Sequence, residues 1–180
     1  MRQDVFIAGY GGQGVMLAGN LISYAAINEG LNVSFFPSYG VEKRGGSAMC
    51  TVVYSDMETG SPVVGNPSVS IVLNQLSYDK FAPHVKQGGF CIVNSSLVEV
   101  RDLKLPGVEI IQIPMNQLAL DLGDVRMVNM VACGSYIASV GSLTRQSLES
   151  ALTRALPVRS HQLIPANVRA ITAGFEAVLK

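Results

Sequence analysis

Apolar positions along this chain come in short blocks closed by glycine and in longer stretches with helical spacing. Asp4–Gly9 (DVFIAG) is a short apolar run that ends in glycine, which predicts a buried strand. Val15, Ala18, Ile22, Ala25, Ala26 and Glu29 then follow at helical spacing, and Gly30 closes that helix. Asn32–Pro37 reads as a second strand, so the chain opens as strand, glycine turn, helix, strand.

Further strands are predicted at Ser47–Ser55, Val69–Asn74, Phe90–Asn94 and Val108–Pro114. Ser77 is the expected cap of a short helix reaching Val85, with Asp79 in its first turn, and Met115–Leu122 predicts another. Met127–Val140 is apolar with small residues Ala132, Gly134 and Ala138, and reads as a buried or interface helix. Thr144 caps a helix to about Leu156, and Pro165 marks the start of a last one carrying Val168, Ile171, Phe175 and Val178. The expected fold class is a single α/β domain over residues 1–180. It has three layers, a mostly parallel or mixed sheet of five or six strands, helices on both faces, and a Rossmann-like βαβ opening.

Composition narrows the functional classes. Apolar residues make up 48% of the 180 positions and charged ones 14%, which excludes a disordered chain. Thirteen basic residues balance thirteen acidic ones, so nothing marks a nucleic-acid or anionic-membrane surface. Of the charge-free stretches Leu31–Val41, Thr59–Tyr78 and Met127–Thr144, the last contains Asn129, Ser135, Tyr136 and Ser139 and is a poor membrane span. From Val5 to Val41, Glu29 is the only charge. Either a plain buried strand–helix unit or coverage by a partner accounts for that. Cys50, Cys91 and Cys133 form no CxxC pair and read as buried thiols of a reduced, cytoplasmic protein. His84 and His161 have no evident nucleophile beside them, so no catalytic set and no metal site is assigned to this chain.

Two glycine-rich segments carry the candidate chemistry. Gly9, Gly11 and Gly14, with Gly12 and Gln13 between them, match G-x-G-x-x-G where a strand gives way to a helix. Glycine lets backbone amides approach a phosphate, and the helix N-terminus adds partial positive charge. A dinucleotide site would want a carboxylate at the end of the second strand, and Phe35-Phe36-Pro37-Ser38 has none. A P-loop is excluded because no Lys-Ser/Thr follows. What stays open is a phosphate or pyrophosphate of another ligand, or a tight turn that merely packs helix on sheet. The second segment, Ser38-Tyr39-Gly40-Val41-Glu42-Lys43-Arg44-Gly45-Gly46, gathers a hydroxyl, a phenol, a carboxylate, two cations and three glycines beyond the second strand. Arg44 can grip a phosphate or carboxylate with two parallel hydrogen bonds, and Glu42 can orient it. A solvated loop is the plainer alternative.

With both segments in view, the chain resembles the gamma subunit, or gamma domain, of 2-oxoacid:ferredoxin oxidoreductases. The matching residues are Gly9, Gly11, Gly12, Gln13 and Gly14, then Ser38, Tyr39, Gly40, Glu42, Arg44, Gly45 and Gly46. Val41 stands where the family pattern has proline. Ser55-Asp56, Asn74-Gln75, Gly88-Gly89, Asn129-Met130 and Asn167…Ala170…Gly174 extend the likeness along nearly the whole chain.

The resemblance implies a non-catalytic subunit of a complex that decarboxylates a 2-oxoacid oxidatively, with 2-oxoglutarate as the preferred substrate, and makes an acyl-coenzyme A. It implies that both loops contact coenzyme A and help close the active site. Thiamine diphosphate, magnesium and iron–sulfur clusters then belong to alpha and beta subunits, with a ferredoxin-like delta subunit as a further candidate partner and ferredoxin reached through the complex. No nucleic acid or membrane partner is implied, and self-association of the isolated chain is left open. The rival readings are an independent nucleotide-binding regulator and a purely structural subunit.

Overall fold

The computed structural model describes residues 1–39, 46–101 and 105–180. Six strands form one mixed sheet: β1 (Arg2–Tyr10), β2 (Asn32–Tyr39), β3 (Ser47–Ser55), β4 (Val69–Val72), β5 (Phe90–Asn94) and β6 (Glu109–Ile113), in the order β2-β3-β1-β4-β5-β6. β1, β4, β5 and β6 run parallel, while β3 is antiparallel to both of its neighbours. β2 therefore runs in the same direction as β1 but does not pair with it. The expected βαβ opening is present with a third strand inserted, Ile7 opposing Cys50 and Cys50 opposing Pro37. β1 is longer than its apolar run because Arg2 and Gln3 pair with Ser55 and Tyr54.

The helices are α1 (Val15–Asn28), α2 (Gln75–Phe81), α3 (Met115–Asp121), α4 (Val128–Val140), α5 (Arg145–Ala155) and α6 (Ile164–Val178). They lie on both faces, but unequally. One face of the sheet presents Val5, Ile7, Cys50, Val52, Ile71 and Ile92 to a large core completed by α1 and α3 to α6. The other presents Val72, Cys91 and Val93 to a smaller core under Tyr78 of α2. β4 is buried along its whole length because both faces are covered there, which is why VSIV reads as a run instead of an alternation. Over β1 and β3 the second face is covered by the segment after β3, held where Ser34 meets Thr59 at 2.6 Å and Arg2 Nη1 donates to the Thr59 carbonyl at 2.6 Å.

Residues Val128–Ile137 of α4 are all buried, so this helix is internal and not an interface helix. A Cβ added at Gly134 would land on the Ile171 carbonyl, and one at Gly174 on the Val131 carbonyl, so the close crossing of α4 and α6 depends on both glycines. Ser135 Oγ completes that crossing by donating to the Gly174 carbonyl at 3.1 Å. Most of the charge-poor stretch is explained by burial of β1 and α1 within the domain itself. One residue differs from expectation at α2. Asn74, extended at φ −151°, accepts from the Ser77 amide at 2.9 Å, so Asn74 is the cap and Ser77 lies inside the helix. Thr144 caps α5 as expected, accepting from the Ser147 amide at 3.1 Å.

Candidate functional site

The carboxyl ends of β1, β2, β4, β5 and β6 share one rim of the sheet, the edge at which open α/β sheets bind ligands. The glycine turn leaves β1 there, and β2 ends and β3 begins at the same rim. The two segments touch: the Gly11 amide donates to the Gly46 carbonyl at 2.9 Å. Ser38 and the backbone of Tyr39 pair with Met49 and Ala48, which places the exit of β2 beside the turn. Gly40, Glu42, Arg44 and Gly45, together with Val41 and Lys43, lie outside the described residues.

Within the turn, Gly12 (φ 105°) and Gly14 (φ 76°) adopt left-handed backbone that side chains rarely tolerate. Gly14 is the residue before α1, and no side chain caps that helix, so its first amides are left for water or a ligand. Gly14 is also closely packed. The Asn129 side chain donates to its carbonyl at 3.3 Å, and a Cβ there would overlap the Asn129 amide. Around Gly12 a Cβ would meet nothing within 4 Å, so its backbone faces open space.

Gln13 holds the turn. Its Oε1 accepts from the Tyr10 amide at 2.7 Å and from Asn74 Nδ2 at 3.2 Å, while Nε2 donates to the Leu73 carbonyl at 3.2 Å. The Gln13 amide bonds to the Tyr10 carbonyl at 3.1 Å. Gln13 thus fastens the end of β1 to the end of β4. Among the described hydrogen bonds, the Gly11 and Gln13 amides are used internally, and none involves the Gly12 or Gly14 amide.

The rim continues through amides that the pattern of the sequence did not mark. Asn94, fully buried at the end of β5, donates to the Leu73 carbonyl at 3.2 Å and to Asn116 Oδ1 at 2.8 Å. Ser96 Oγ accepts from the Asn116 and Gln117 amides at the start of α3. The one available signal was Asn94 closing an otherwise apolar run. Beside Gly12 and Gln13 opens a cavity of about 170 Å³ that Asn116, Val125, Arg126 and Val128 also line. Arg126 escaped sequence reasoning because Gly12 and Gln13, which share its cavity, lie far from it along the chain.

Among the described residues, electrostatics mark no general base at the site. Asp124 is paired with Arg126, whose hydrogen bonds hold its carboxyl below the usual carboxylate range. All three thiols are buried. Desolvation pushes Cys50 and Cys91 up to about 12 and Cys133 higher still. Among the described residues no three His, Cys, Asp or Glu side chains gather as a metal site, and no helix is long and apolar enough to cross a membrane. The uncapped start of α1 and the open surroundings of Gly12 are features of the kind that suit an anion.

A family model described as pyruvate ferredoxin/flavodoxin oxidoreductase matches residues 4–177. Ketoisovalerate oxidoreductase subunit VorA of Methanothermobacter thermautotrophicus is 35% identical over 173 residues, which are 96% of this chain and 35% of VorA. The chain therefore spans about a third of that relative's length. The 2-oxoglutarate synthase subunit KorC of Methanocaldococcus jannaschii is 30% identical over 178 residues, covering 98% of this chain and 94% of KorC. The crystal structure of a keto/oxoacid ferredoxin oxidoreductase gamma subunit from Geobacter sulfurreducens superimposes with a TM-score of 0.84 at 29% identity, covering 99% of this chain and 97% of that one.

Proposed function

Because the chain belongs to the pyruvate ferredoxin/flavodoxin oxidoreductase family, we propose that it is the gamma subunit of a cytoplasmic 2-oxoacid:ferredoxin oxidoreductase. In this reading it holds the phosphates of coenzyme A and presents the thiol to an active centre on neighbouring subunits. The observation that carries the proposal is the Gly11–Gly46 hydrogen bond, which joins the two glycine segments at one rim. Open amides at Gly12 and Gly14, with Arg44 supplied by the second segment, suit a pyrophosphate and a phosphate monoester. The whole group Gly9, Gly11, Gly12, Gln13, Gly14, Ser38, Tyr39, Gly40, Glu42, Arg44, Gly45 and Gly46 is assigned to this site, with Gln13 bracing it from within.

Thiamine diphosphate, magnesium and iron–sulfur clusters are assigned to alpha and beta partners. Deeply buried thiols, kept protonated by desolvation, do not fit cluster ligation by the described residues. Similarity to KorC supports 2-oxoglutarate as the substrate of the complex.

The test is reconstitution. Alpha and beta partners are assayed with and without this chain for coenzyme-A-dependent, viologen-linked oxidation of 2-oxoglutarate, pyruvate and a branched-chain oxoacid. Activity should require the chain, and Arg44→Ala should raise KM for coenzyme A with assembly intact. Full activity without the chain ends the proposal. A requirement for the chain with an unchanged KM in Arg44→Ala would instead make it a structural subunit. Tight NAD or FAD binding by the isolated chain would make it an independent regulator.

A further inference from the structure

Arg126 lines two cavities, one of them beside the glycine turn. The first, about 170 Å³, is bounded by Gly12, Gln13 and Asn116. The second, about 180 Å³, runs between Leu17 at the start of α1, Asn129, Ser160 and Asn167. Among the residues lining either cavity, Arg126 carries the positive charge and Asp124 the negative one; the remaining polar lining is amide and hydroxyl.

The guanidinium is aimed by its partner. Asp124 accepts from Arg126 Nε at 2.9 and 3.0 Å and from Nη2 at 2.7 Å. The Asp124 carboxylate is fixed in turn because it accepts from the Arg126 amide at 2.9 Å, capping the short 3-10 turn Val125–Met127 that leads into α4. One edge of the guanidinium is used this way, and among the described hydrogen bonds Nη1 is not used. The arginine side chain is 83% exposed. With the cation so exposed, the pair contributes little to the fold.

We propose that Arg126 is an anion-binding residue of the coenzyme A site, contacting a ligand phosphate through Nη1 across the cavity it shares with Gly12. The inference rests on the coenzyme A reading given above. Asp124 acts as a positioning residue: it turns a flexible cation into a fixed fork, which lowers the entropy lost on binding.

The experiment uses the assembled complex with Arg126→Ala, Arg126→Lys and Arg44→Ala, measuring kcat and KM for coenzyme A and for 3′-dephospho-coenzyme A. Arg126→Ala should raise KM for coenzyme A at least about tenfold, the usual effect of losing a charge-assisted hydrogen bond, and leave kcat within about twofold. Arg126→Lys should recover part of the loss, and the salt dependence of KM should weaken in Arg126→Ala. If dephospho-coenzyme A abolishes the difference between wild type and Arg126→Ala, the contact is to the 3′-phosphate; a persisting difference assigns it to the pyrophosphate. An unchanged KM in Arg126→Ala, with Arg44→Ala impaired, overturns this inference and leaves the coenzyme A reading standing. Both variants behaving as wild type would remove that reading as well.

Discussion

The amide of Gly11 donates to the carbonyl of Gly46 at 2.9 Å, so the turn after β1 is tied to the residue that enters β3. A change in either should be felt in the other. Gly12 sits at φ 105°, where a side chain is strained whatever the surrounding space. We expect Gly12→Ala and Arg44→Ala each to raise KM for coenzyme A. Combined, they should depart from additivity by at least about 0.5 kcal/mol, as sites within one network do. A double-mutant cycle on kcat/KM checks this. Strict additivity would mean that the two segments act on separate ligands.

Gln13 fastens the same turn by a different route. Replacing it with leucine keeps the volume but strands the Tyr10 amide and removes both bonds to β4 and its cap. A cost of about 1–3 kcal/mol follows from leaving partly buried polar groups unpaired. At about 2–4 °C per kcal/mol for a chain of this size, Gln13→Leu should lower Tm by several degrees. A glutamate at this position should be no remedy, because its carboxylate would face the Leu73 carbonyl that Nε2 now serves. Calorimetry on the three proteins decides. A Gln13→Leu melting curve that overlays the wild type would show the brace to be dispensable.

Much of this was legible in the chain. Ser47–Ser55 and Phe90–Asn94 are strands with the bounds their apolar pattern predicts, and family membership followed from two glycine segments read together. Periodicity and glycine are local signals. The pairing of β3 between β1 and β2 is not local, so the opening read as a plain βαβ unit although β1 and β2 never touch. Asn74 read as the end of a strand and Ser77 as the cap of α2, and it takes the extended backbone of Asn74 and its bond from the Ser77 amide to reverse that. Asn94 and Arg126 were missed for the same reason as β3. What makes each of them part of the site is a neighbour brought in by the fold.

Acid should loosen the far end of α1. Glu29 Oε1 accepts from the Thr144 amide at 2.6 Å and from its hydroxyl at 2.9 Å, tying the end of α1 to the start of α5. Partial burial pushes this carboxyl up, but the Thr144 amide and the Ser147 and Thr144 hydroxyls together outweigh it and leave the carboxyl below its ordinary value of 4.5. A group lowered on folding stabilises above its unfolded value, and that contribution fades as pH falls through the folded one. Wild type should therefore melt above Glu29→Gln at about pH 7, and the gap should close as the solution is acidified below about 4.5. A gap that stays constant down to about pH 3 would show that the charge on Glu29 plays no part.

The thiols offer a last check, on packing and on the division of labour in the complex at once. Only a thiolate attacks a disulfide reagent or ligates iron, and desolvation holds Cys50 and Cys91 at about 12, with Cys133 raised further. At about pH 8 that leaves on the order of one thiolate in ten thousand at Cys50 or Cys91. Reagent must also reach sulfurs that lie against the Val15 and Ala18 carbonyls, in the case of Cys50 and Cys133, or under α2 in the case of Cys91. The folded chain should react with none of its three cysteines on the timescale of free cysteine, and with all three once denatured. Any cysteine titrating promptly in the native protein would place it in an open, polar setting, and the reason for assigning iron–sulfur chemistry to other subunits would then fail at that residue.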